Sequence, residues 1–236
     1  MHYAGMIKQS LVDYPGEIVT VLFSRGCNLR CPFCHNPDLL IKPRVTAPPV
    51  DIVEVLEFMS KRKGFLDGVV FSGGEPTLSQ ELITDIRSVK GLGLLVKLDT
   101  NGTNTTMLEL LLREGLLDYV AMDIKSAVEY KKYREACARL SPENFFNIRS
   151  SILLLKSAAI NVEFRTTVVP ALHTPEDIVA VARFIEGARL YTLQQFNPRV
   201  TLEPNYGRVV PYTKAEMQQI GEMCAPYVRE VRVVNL

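Results

Sequence analysis

Residues 18–35 read IVTVLFSRGCNLRCPFCH, a run of apolar and β-branched residues followed by a cysteine-rich loop. The run at 18–23 is typical of a strand that is buried in a parallel sheet. The loop carries Cys27, Cys31 and Cys34 with the spacing Cys-x3-Cys-x2-Cys. A tight cysteine cluster in a reducing compartment is more often a metal or cofactor site than a disulfide. The segment therefore predicts a buried strand whose carboxyl end carries such a site.

Similar apolar runs recur along the chain, with helix-patterned segments between them, which predicts an α/β fold with a parallel sheet and helices outside it. Six such units are too few to close an eight-stranded barrel, so we expect an open, partial (β/α)6 barrel with its active site at the carboxyl ends of the strands. The predicted strands are residues 18–23, 68–71, 94–98, 119–122, 162–168 and 190–196, with a short last strand within 228–236. The predicted helices are residues 50–61, 79–90, 105–114, 142–157, 174–186 and 213–224.

Length and composition favour a single domain over residues 1–236. The 236 residues are 47% hydrophobic, and no repeat or Gly/Ser-rich linker divides them. Lysine and arginine number 27 against 26 acidic residues, without a long run of like charge, which disfavours nucleic acid and membrane surfaces as partners. No apolar stretch is long enough to span a bilayer, so we expect a cytoplasmic protein.

The cysteine spacing favours an iron–sulfur cluster over zinc. A structural zinc site usually takes four ligands in two separated pairs, and no second pair follows at a suitable distance, although His35 could complete a Cys3His site. Three thiolates suit a cubane cluster with one iron left open to chelate a substrate. Cys137 and Cys224 are interpreted as small apolar fillers of helix faces, because neither has a second cysteine nearby.

The loop resembles the signature of the radical S-adenosylmethionine (SAM) superfamily, in which an aromatic residue, here Phe33, precedes the last cysteine. The resemblance implies a partial barrel of the radical SAM type. It implies one [4Fe–4S] cluster on Cys27, Cys31 and Cys34, with the SAM amino and carboxylate groups on the open iron. It also implies that Phe33 and His35 flank the adenine. The alternative for these two side chains is a plain packing role and a surface position.

The turn after the second strand, Ser72-Gly73-Gly74-Glu75, resembles the Gly-Gly-Glu-Pro motif of the same family. The resemblance implies that this turn binds the SAM amino group through its main chain and the Glu75 carboxylate. An ammonium beside a carboxylate is chemically sensible. A valine at Gly74 is expected to block SAM sterically while sparing the cluster. The alternative is an ordinary strand-to-helix turn.

Polar residues follow the third and fourth strands. A charged residue directly after a buried strand requires a partner. These strand ends resemble those of the activating enzymes for glycyl-radical enzymes, which implies that Asp123 and Lys125 contact SAM as the catalytic pair. It also implies a cation or ribose site near the third strand, with Asp99, Thr100 and Asn101 as cofactor-binding residues. A structural ion pair at the rim is the alternative.

Two further residues are predicted to bind SAM. Arg165, in the fifth strand, could pair with the SAM carboxylate as a guanidinium fork. At the end of the sixth strand, alternation lets only one of two glutamines face inward, and Gln195 is predicted to hydrogen-bond the ribose or adenine. His173 is interpreted as a loop histidine.

The segment KQSLVDYPG at 8–16 resembles the activase branch of the superfamily, most of all the longer activating proteins of anaerobic ribonucleotide reductases. The resemblance implies a glycyl-radical enzyme as partner and a low-potential electron donor such as flavodoxin or ferredoxin. Tyr14, and Glu17 followed by Ile18, depart from the pyruvate formate-lyase activases. Residues 37–72 contain no cysteine for extra clusters. A formate-lyase-type activase, a radical SAM enzyme acting on a small molecule, and a zinc-binding interaction module remain alternatives.

Overall fold

The computed structural model describes residues 1–40 and 49–236. The strands are β1 His2–Tyr3, β2 Gly5–Ser10, β3 Val19–Ser24, β4 Val50–Asp51, β5 Gly68–Gly73, β6 Leu95–Thr100, β7 Tyr119–Asp123, β8 Asn161–Val168, β9 Leu190–Gln195 and β10 Val231–Val234. The α-helices are α1 Ile52–Ser60, α2 Leu82–Gly91, α3 Thr105–Arg113, α4 Tyr130–Ala136, α5 Pro142–Lys156, α6 Pro175–Phe184 and α7 Lys214–Cys224. Each predicted strand and helix is present, with ends displaced by a few residues.

The elements absent from the prediction are β1, β2, β4 and α4. Strand β2 lies at a sheet edge and is only partly buried, so it lacks the apolar run that marks a buried strand. Helix α4 has seven residues, too few for a clear helical period. None of the helices in the described parts of the chain is both long and apolar enough to cross a membrane.

One compact unit comprises Met1–Cys27, Asp38–Thr100 and Thr106–Val120. Its strands lie in the order β2-β3-β5-β6, with β3, β5 and β6 parallel and β2 antiparallel to β3. In this register Phe71 lies beside both Leu22 and Leu98. All three side chains are fully buried, because each central strand is covered on both faces. The parallel strands end together at Ser24, Gly73 and Thr100, where polar residues begin.

The other compact unit comprises Asn28–Pro37, Asn101–Thr105 and Ala121–Leu236. Strands β8, β9 and β10 are parallel, and Tyr191 in β9 pairs with Phe164 and Val231. Helices α6 and α7 begin with capping boxes at Thr174 and Thr213, which satisfy the first backbone N–H groups. The core of this unit includes the buried side chains Ile152, Phe164, Ile178, Tyr191 and Leu193.

Candidate functional site

The cysteine loop begins directly after β3. Gly26 adopts a positive φ of 77°, and its N–H donates to the Leu39 carbonyl at 2.9 Å, which closes the loop on itself. Later in the loop, the Cys34 N–H donates to the Cys31 carbonyl at 3.1 Å in a tight turn. Cys31 is buried, and Cys27 and Cys34 are partly exposed. All five cysteines of the chain lie in the described residues and none forms a disulfide.

The donor set of this loop fits an iron–sulfur cluster by its chemistry. Among the described residues there is no group of three or more His, Cys, Asp or Glu side chains that could hold one metal ion. A [4Fe–4S] cluster has a different requirement, because each thiolate ligates its own iron and the ligands need not converge on one point. Three cysteine thiols on one short loop supply that kind of donor.

The Gly-Gly-Glu turn packs against the start of the cysteine loop. The Gly74 N–H donates to the Ser24 carbonyl at 3.1 Å, and the Glu75 N–H donates to the Gly26 carbonyl at 2.8 Å. Gly73 has a φ of 111°, and a Cβ there would lie 2.5 Å from the Ser24 nitrogen. A Cβ on Gly74 would lie 1.8 Å from the Gly26 carbonyl oxygen. A side chain at Gly74 would therefore collide with the residue that precedes Cys27, so we expect it to disturb the cysteine loop, and the expectation that it spares the cluster stays to be tested.

Glu75 is buried at the end of β5 and is held by two threonines. Its Oε1 accepts hydrogen bonds from Thr100 Oγ1 at 2.8 Å and from Thr77 Oγ1 at 2.5 Å. The Thr77 N–H also donates to Oε1, at 3.1 Å. The structure thus brings the predicted residues Glu75 and Thr100 together, and adds Thr77 to them. Their contact with SAM stays a prediction.

Asp99 is held between a hydroxyl and a buried cation. Its Oδ2 accepts from Ser72 Oγ at 2.9 Å and its Oδ1 pairs with Lys97 Nζ at 2.8 Å. Lys97 is 2% exposed and also donates to the Asp13 carbonyl at 2.7 Å. Lys97 was not among the predicted site residues, although a lysine inside an apolar strand is itself a signal for a buried ion pair. Lys97 therefore connects the end of β6 to the segment at 8–16.

Asn101 supports the cysteine loop in the second unit. Its Nδ2 donates to Asn28 Oδ1 at 3.1 Å, and its Oδ1 accepts from Thr103 Oγ1 at 2.7 Å. Asn28 Nδ2 in turn donates to Thr103 Oγ1 at 2.9 Å. These bonds connect the side chains of Asn28, Asn101 and Thr103. Asn28 directly follows Cys27 in the sequence. Sequence reasoning missed Asn28 and Thr103, because nothing in their spacing relates them.

Asp123, the last residue of β7, lies between two cations, Lys125 just after that strand and Arg165 in the middle of β8. Its Oδ2 accepts from Lys125 Nζ at 2.9 Å and its Oδ1 from Arg165 Nε at 2.8 Å. Burial by itself would raise the pKa of Asp123, but the charges of Arg165 and Lys125 outweigh it and hold that pKa well below its ordinary value. The carboxylate is therefore ionised at neutral pH. The predicted fork from Arg165 to the SAM carboxylate stays a prediction.

Replacing Asp123 with asparagine should destabilise the fold by about 2 kcal/mol at pH 7, since it leaves two partly buried cations without their shared anion. Because the pKa of Asp123 is lowered in the folded state, this stabilisation is complete above the unfolded pKa of about 4 and is lost as the pH falls through the lower folded value. Urea unfolding of both proteins at pH 7 and pH 3 measures it, and the difference between the two proteins should be smaller at pH 3, where the loss has begun but is not complete.

The matched variant Lys125→Ala should cost less, because Arg165 still pairs with Asp123. We also expect both variants to keep their iron and to cleave SAM slowly. Native rates of SAM cleavage in both would assign the pair a structural role alone.

The two predicted adenine neighbours lie in different surroundings. Phe33 is buried and meets the edge of the His173 ring, with the ring centres 6.4 Å apart. His35 is exposed, and its ring stacks on that of Phe196 with the ring centres 6.1 Å apart. The distance from His35 Nδ1 to the Val200 carbonyl oxygen is 3.3 Å. The buried position of Phe33 agrees with a packing role, and the exposed position of His35 agrees with a surface role. Contact of either side chain with adenine stays a prediction.

His173 and Gln195 have backbone partners. His173 Nδ1 accepts from the Val169 N–H at 3.0 Å, and its Nε2 lies 2.9 Å from the Lys125 carbonyl. Burial lowers the pKa of His173 to about 4, so the ring is neutral and Nε2 carries the donated proton. Gln195 Nε2 donates to the Tyr212 carbonyl at 2.5 Å. His173 is thus a structural residue of its loop, and the role of Gln195 toward SAM stays a prediction.

The two isolated cysteines differ in their surroundings. Burial raises the pKa of Cys224 to about 12, so its thiol is neutral at pH 7. This agrees with its interpretation as a small apolar filler. Cys137 is also fully buried, but its Sγ lies 3.3 Å from Cys31 Sγ. The interpretation that no second cysteine lies near it is wrong, because the fold brings together residues that are 106 positions apart.

A comparison with known protein families shows to which family the chain belongs. The model of the radical SAM superfamily matches residues 21–185. The chain belongs to the radical SAM superfamily. Members of this superfamily use a [4Fe–4S] cluster and SAM, as the cysteine loop predicts.

Relatives of similar length agree with this membership. A protein of Methanocaldococcus jannaschii, provisionally named a glycyl-radical enzyme activating enzyme, is 33% identical over 237 residues, covering 98% of this chain and 96% of that protein. The pyruvate formate-lyase-activating enzyme of Clostridium pasteurianum is 32% identical over 83% of this chain and 80% of its own length. The crystal structure of QueE from Escherichia coli, at 15% identity, aligns with a TM-score of 0.55 over 98% of this chain and 92% of that chain. The predicted fold, an open partial barrel of the radical SAM type, is confirmed.

Proposed function

We propose that this protein is a radical SAM activase that cleaves SAM reductively and generates a glycyl radical on an anaerobic ribonucleotide reductase. The observation that carries the proposal is the 33% identity, over almost the whole of both chains, to a protein provisionally named a glycyl-radical enzyme activating enzyme. The segment at 8–16 supports the finer assignment to a reductase by its resemblance to that branch.

The proposed residue roles follow the family motifs. Cys27, Cys31 and Cys34 hold one [4Fe–4S] cluster, which with SAM bound supplies a radical that removes a hydrogen atom from an unactivated carbon. The turn at Gly73 and Gly74 lets the backbone approach the SAM amino group. The other proposed SAM-binding residues are Phe33, His35, Ser72, Glu75, Asp99, Thr100, Asn101, Arg165 and Gln195, with Asp123 and Lys125 as the catalytic pair.

The anchoring of the segment at 8–16 supports a protein as substrate. Lys97 binds the Asp13 carbonyl, and the ring of Tyr14 packs on Tyr119 with ring centres 5.3 Å apart. Between these anchors and β2, Leu11 is 67% exposed and Val12 is 88% exposed. An apolar tip on an anchored segment suits contact with another protein better than contact with a small metabolite.

The family match at 21–185 runs through both compact units, which supports a single radical SAM domain over residues 1–236. The cluster needs one electron per SAM cleaved, so we propose a low-potential flavodoxin or ferredoxin as donor. We propose no nucleic acid and no membrane surface as a further partner.

Anaerobically reconstituted and reduced protein, mixed with SAM and an anaerobic ribonucleotide reductase, should give an electron paramagnetic resonance (EPR) doublet and switch on nucleotide reduction. The doublet is expected because the unpaired electron of a glycyl radical couples to the one remaining Cα hydrogen. Omitting SAM, or replacing the reductase glycine by alanine, should abolish it. The yield of 5′-deoxyadenosine is measured in the same samples.

Other outcomes would move the assignment. A doublet with pyruvate formate-lyase and none with the reductase would favour the formate-lyase-type activase, which the Clostridium pasteurianum relative supports. Rapid SAM cleavage without a doublet on either partner would favour a small-molecule substrate.

A further inference from the structure

Cys137, which lies outside the cysteine loop, makes a buried contact with one of the proposed cluster ligands. Its Sγ is 3.3 Å from Cys31 Sγ, within reach of an S–H···S hydrogen bond. Cys137 is 0% exposed and Cys31 is 8% exposed, so water does not compete for this contact. The motif that supplies the ligands does not include Cys137, and none of the roles assigned above uses it.

The backbone holds the two cysteines at this distance. The Arg30 N–H donates to the Ala138 carbonyl at 2.9 Å, and the Ala138 N–H donates to the Arg30 carbonyl at 3.0 Å. The Cys137 N–H donates to the Tyr133 carbonyl at 2.9 Å, at the end of helix α4. Cys137 is therefore fixed by a helix terminus and by a two-bond bridge that joins the residues beside each cysteine.

The chemistry of the ligand sets the direction of the hydrogen bond. A cysteine that ligates iron is a thiolate and has no proton to donate. The donor in the loaded protein is then the Cys137 thiol, and the acceptor is the Cys31 sulfur. A second thiolate at 3.3 Å would place two like charges side by side in a buried site, which favours a protonated Cys137.

We propose that Cys137 is a positioning residue that donates a hydrogen bond to the cluster-ligating sulfur of Cys31 and makes the cluster easier to reduce. The inference rests on the proposed function only for the assignment of Cys31 as a cluster ligand. A donor withdraws negative charge from the thiolate, and the reduced cluster carries one more negative charge than the oxidised one. The bond therefore stabilises the reduced cluster. The electron comes from an external reductant, and Cys137 keeps its proton.

The test is an EPR-monitored potential titration of the anaerobically reconstituted protein, with dithionite as reductant and with SAM and partner absent. Cys137→Ala should bind as much iron as the native protein. At a fixed potential its ratio of reduced to oxidised cluster should fall about tenfold, which corresponds to about 59 mV for a one-electron couple. Cys137→Ser keeps a donor and should recover part of this shift. Cys224→Ala, at the other fully buried isolated cysteine, should titrate like the native protein.

A spectroscopic signature separates this role from simple packing. In deuterated buffer, electron–nuclear double resonance of the reduced cluster should show an exchangeable deuteron that is present with Cys137 or serine and absent with alanine. If the alanine variant does not fold, Cys137→Val, which fills the volume without a donor, takes its place. A native potential in the donor-free variants, or an unchanged deuteron signal, would overturn the inference while leaving the proposed function intact. Native protein without iron would overturn both.

Discussion

Replacing any one of Cys27, Cys31 or Cys34 with alanine should abolish iron binding in the anaerobically reconstituted protein. The native protein should bind about four irons per chain, with the brown absorbance of a [4Fe–4S] cluster. Three thiolates are the proposed protein ligands of that cluster, so losing one leaves a second iron without a protein donor. Iron and sulfide assays with the absorbance spectrum measure the loss.

One control and one contrary outcome keep this prediction specific. Cys224→Ala removes a buried thiol far along the sequence, on helix α7, and should leave the iron content unchanged. Native iron content in Cys31→Ala would contradict the prediction for that residue, and loss of the iron in the double variant Cys31→Ala/Cys137→Ala would then identify the neighbouring Cys137 as a substitute ligand. Stoichiometric zinc without iron in the native protein would contradict the cluster and restore the zinc-binding alternative.

Much of the fold could be predicted from the sequence because buried parallel strands are continuous apolar runs. The core strands β3, β5 and β8 were all predicted to within two residues at either end. Strand β2 and helix α4 were not, since an exposed edge strand and a seven-residue helix leave little apolar periodicity. The apolar pattern is therefore too weak to identify a strand or helix that is only partly buried.

The residues of the candidate site also fall into two groups, those that short sequence motifs identify and those that only the folded chain brings together. Residues in local motifs, such as Gly74 and Asp123, were predicted because the short stretches that contain them resemble motifs of the radical SAM superfamily, whereas a glycine pair alone is a weak signal. Cys137 was misread because its contact with Cys31 depends on the backbone bridge between Arg30 and Ala138, which no spacing in the sequence encodes. Lys97 was overlooked although its charge inside a buried strand was visible in the sequence.

Replacing Gly74 with alanine should reduce both iron content and SAM binding severely. The added Cβ would lie 1.8 Å from the Gly26 carbonyl oxygen, a backbone atom that cannot rotate away as a side chain does. That carbonyl also accepts the Glu75 N–H at 2.8 Å, so relief of the collision breaks the bond between the turn and the loop. The displaced peptide directly precedes Cys27, and a misplaced ligand weakens the cluster.

The matched control is Gly91→Ala at the end of helix α2, where a Cβ would meet nothing within 4 Å. It makes the same chemical change and should be neutral or stabilise the fold by up to about 1 kcal/mol, because alanine favours a helix over glycine. Gly74→Ala should instead cost about 1–3 kcal/mol in urea unfolding, as overpacking does. Iron assay, SAM binding by equilibrium dialysis and urea unfolding are measured on both variants. Full iron with lost SAM binding in Gly74→Ala would show that the cysteine loop tolerates the collision and that the turn acts on SAM alone.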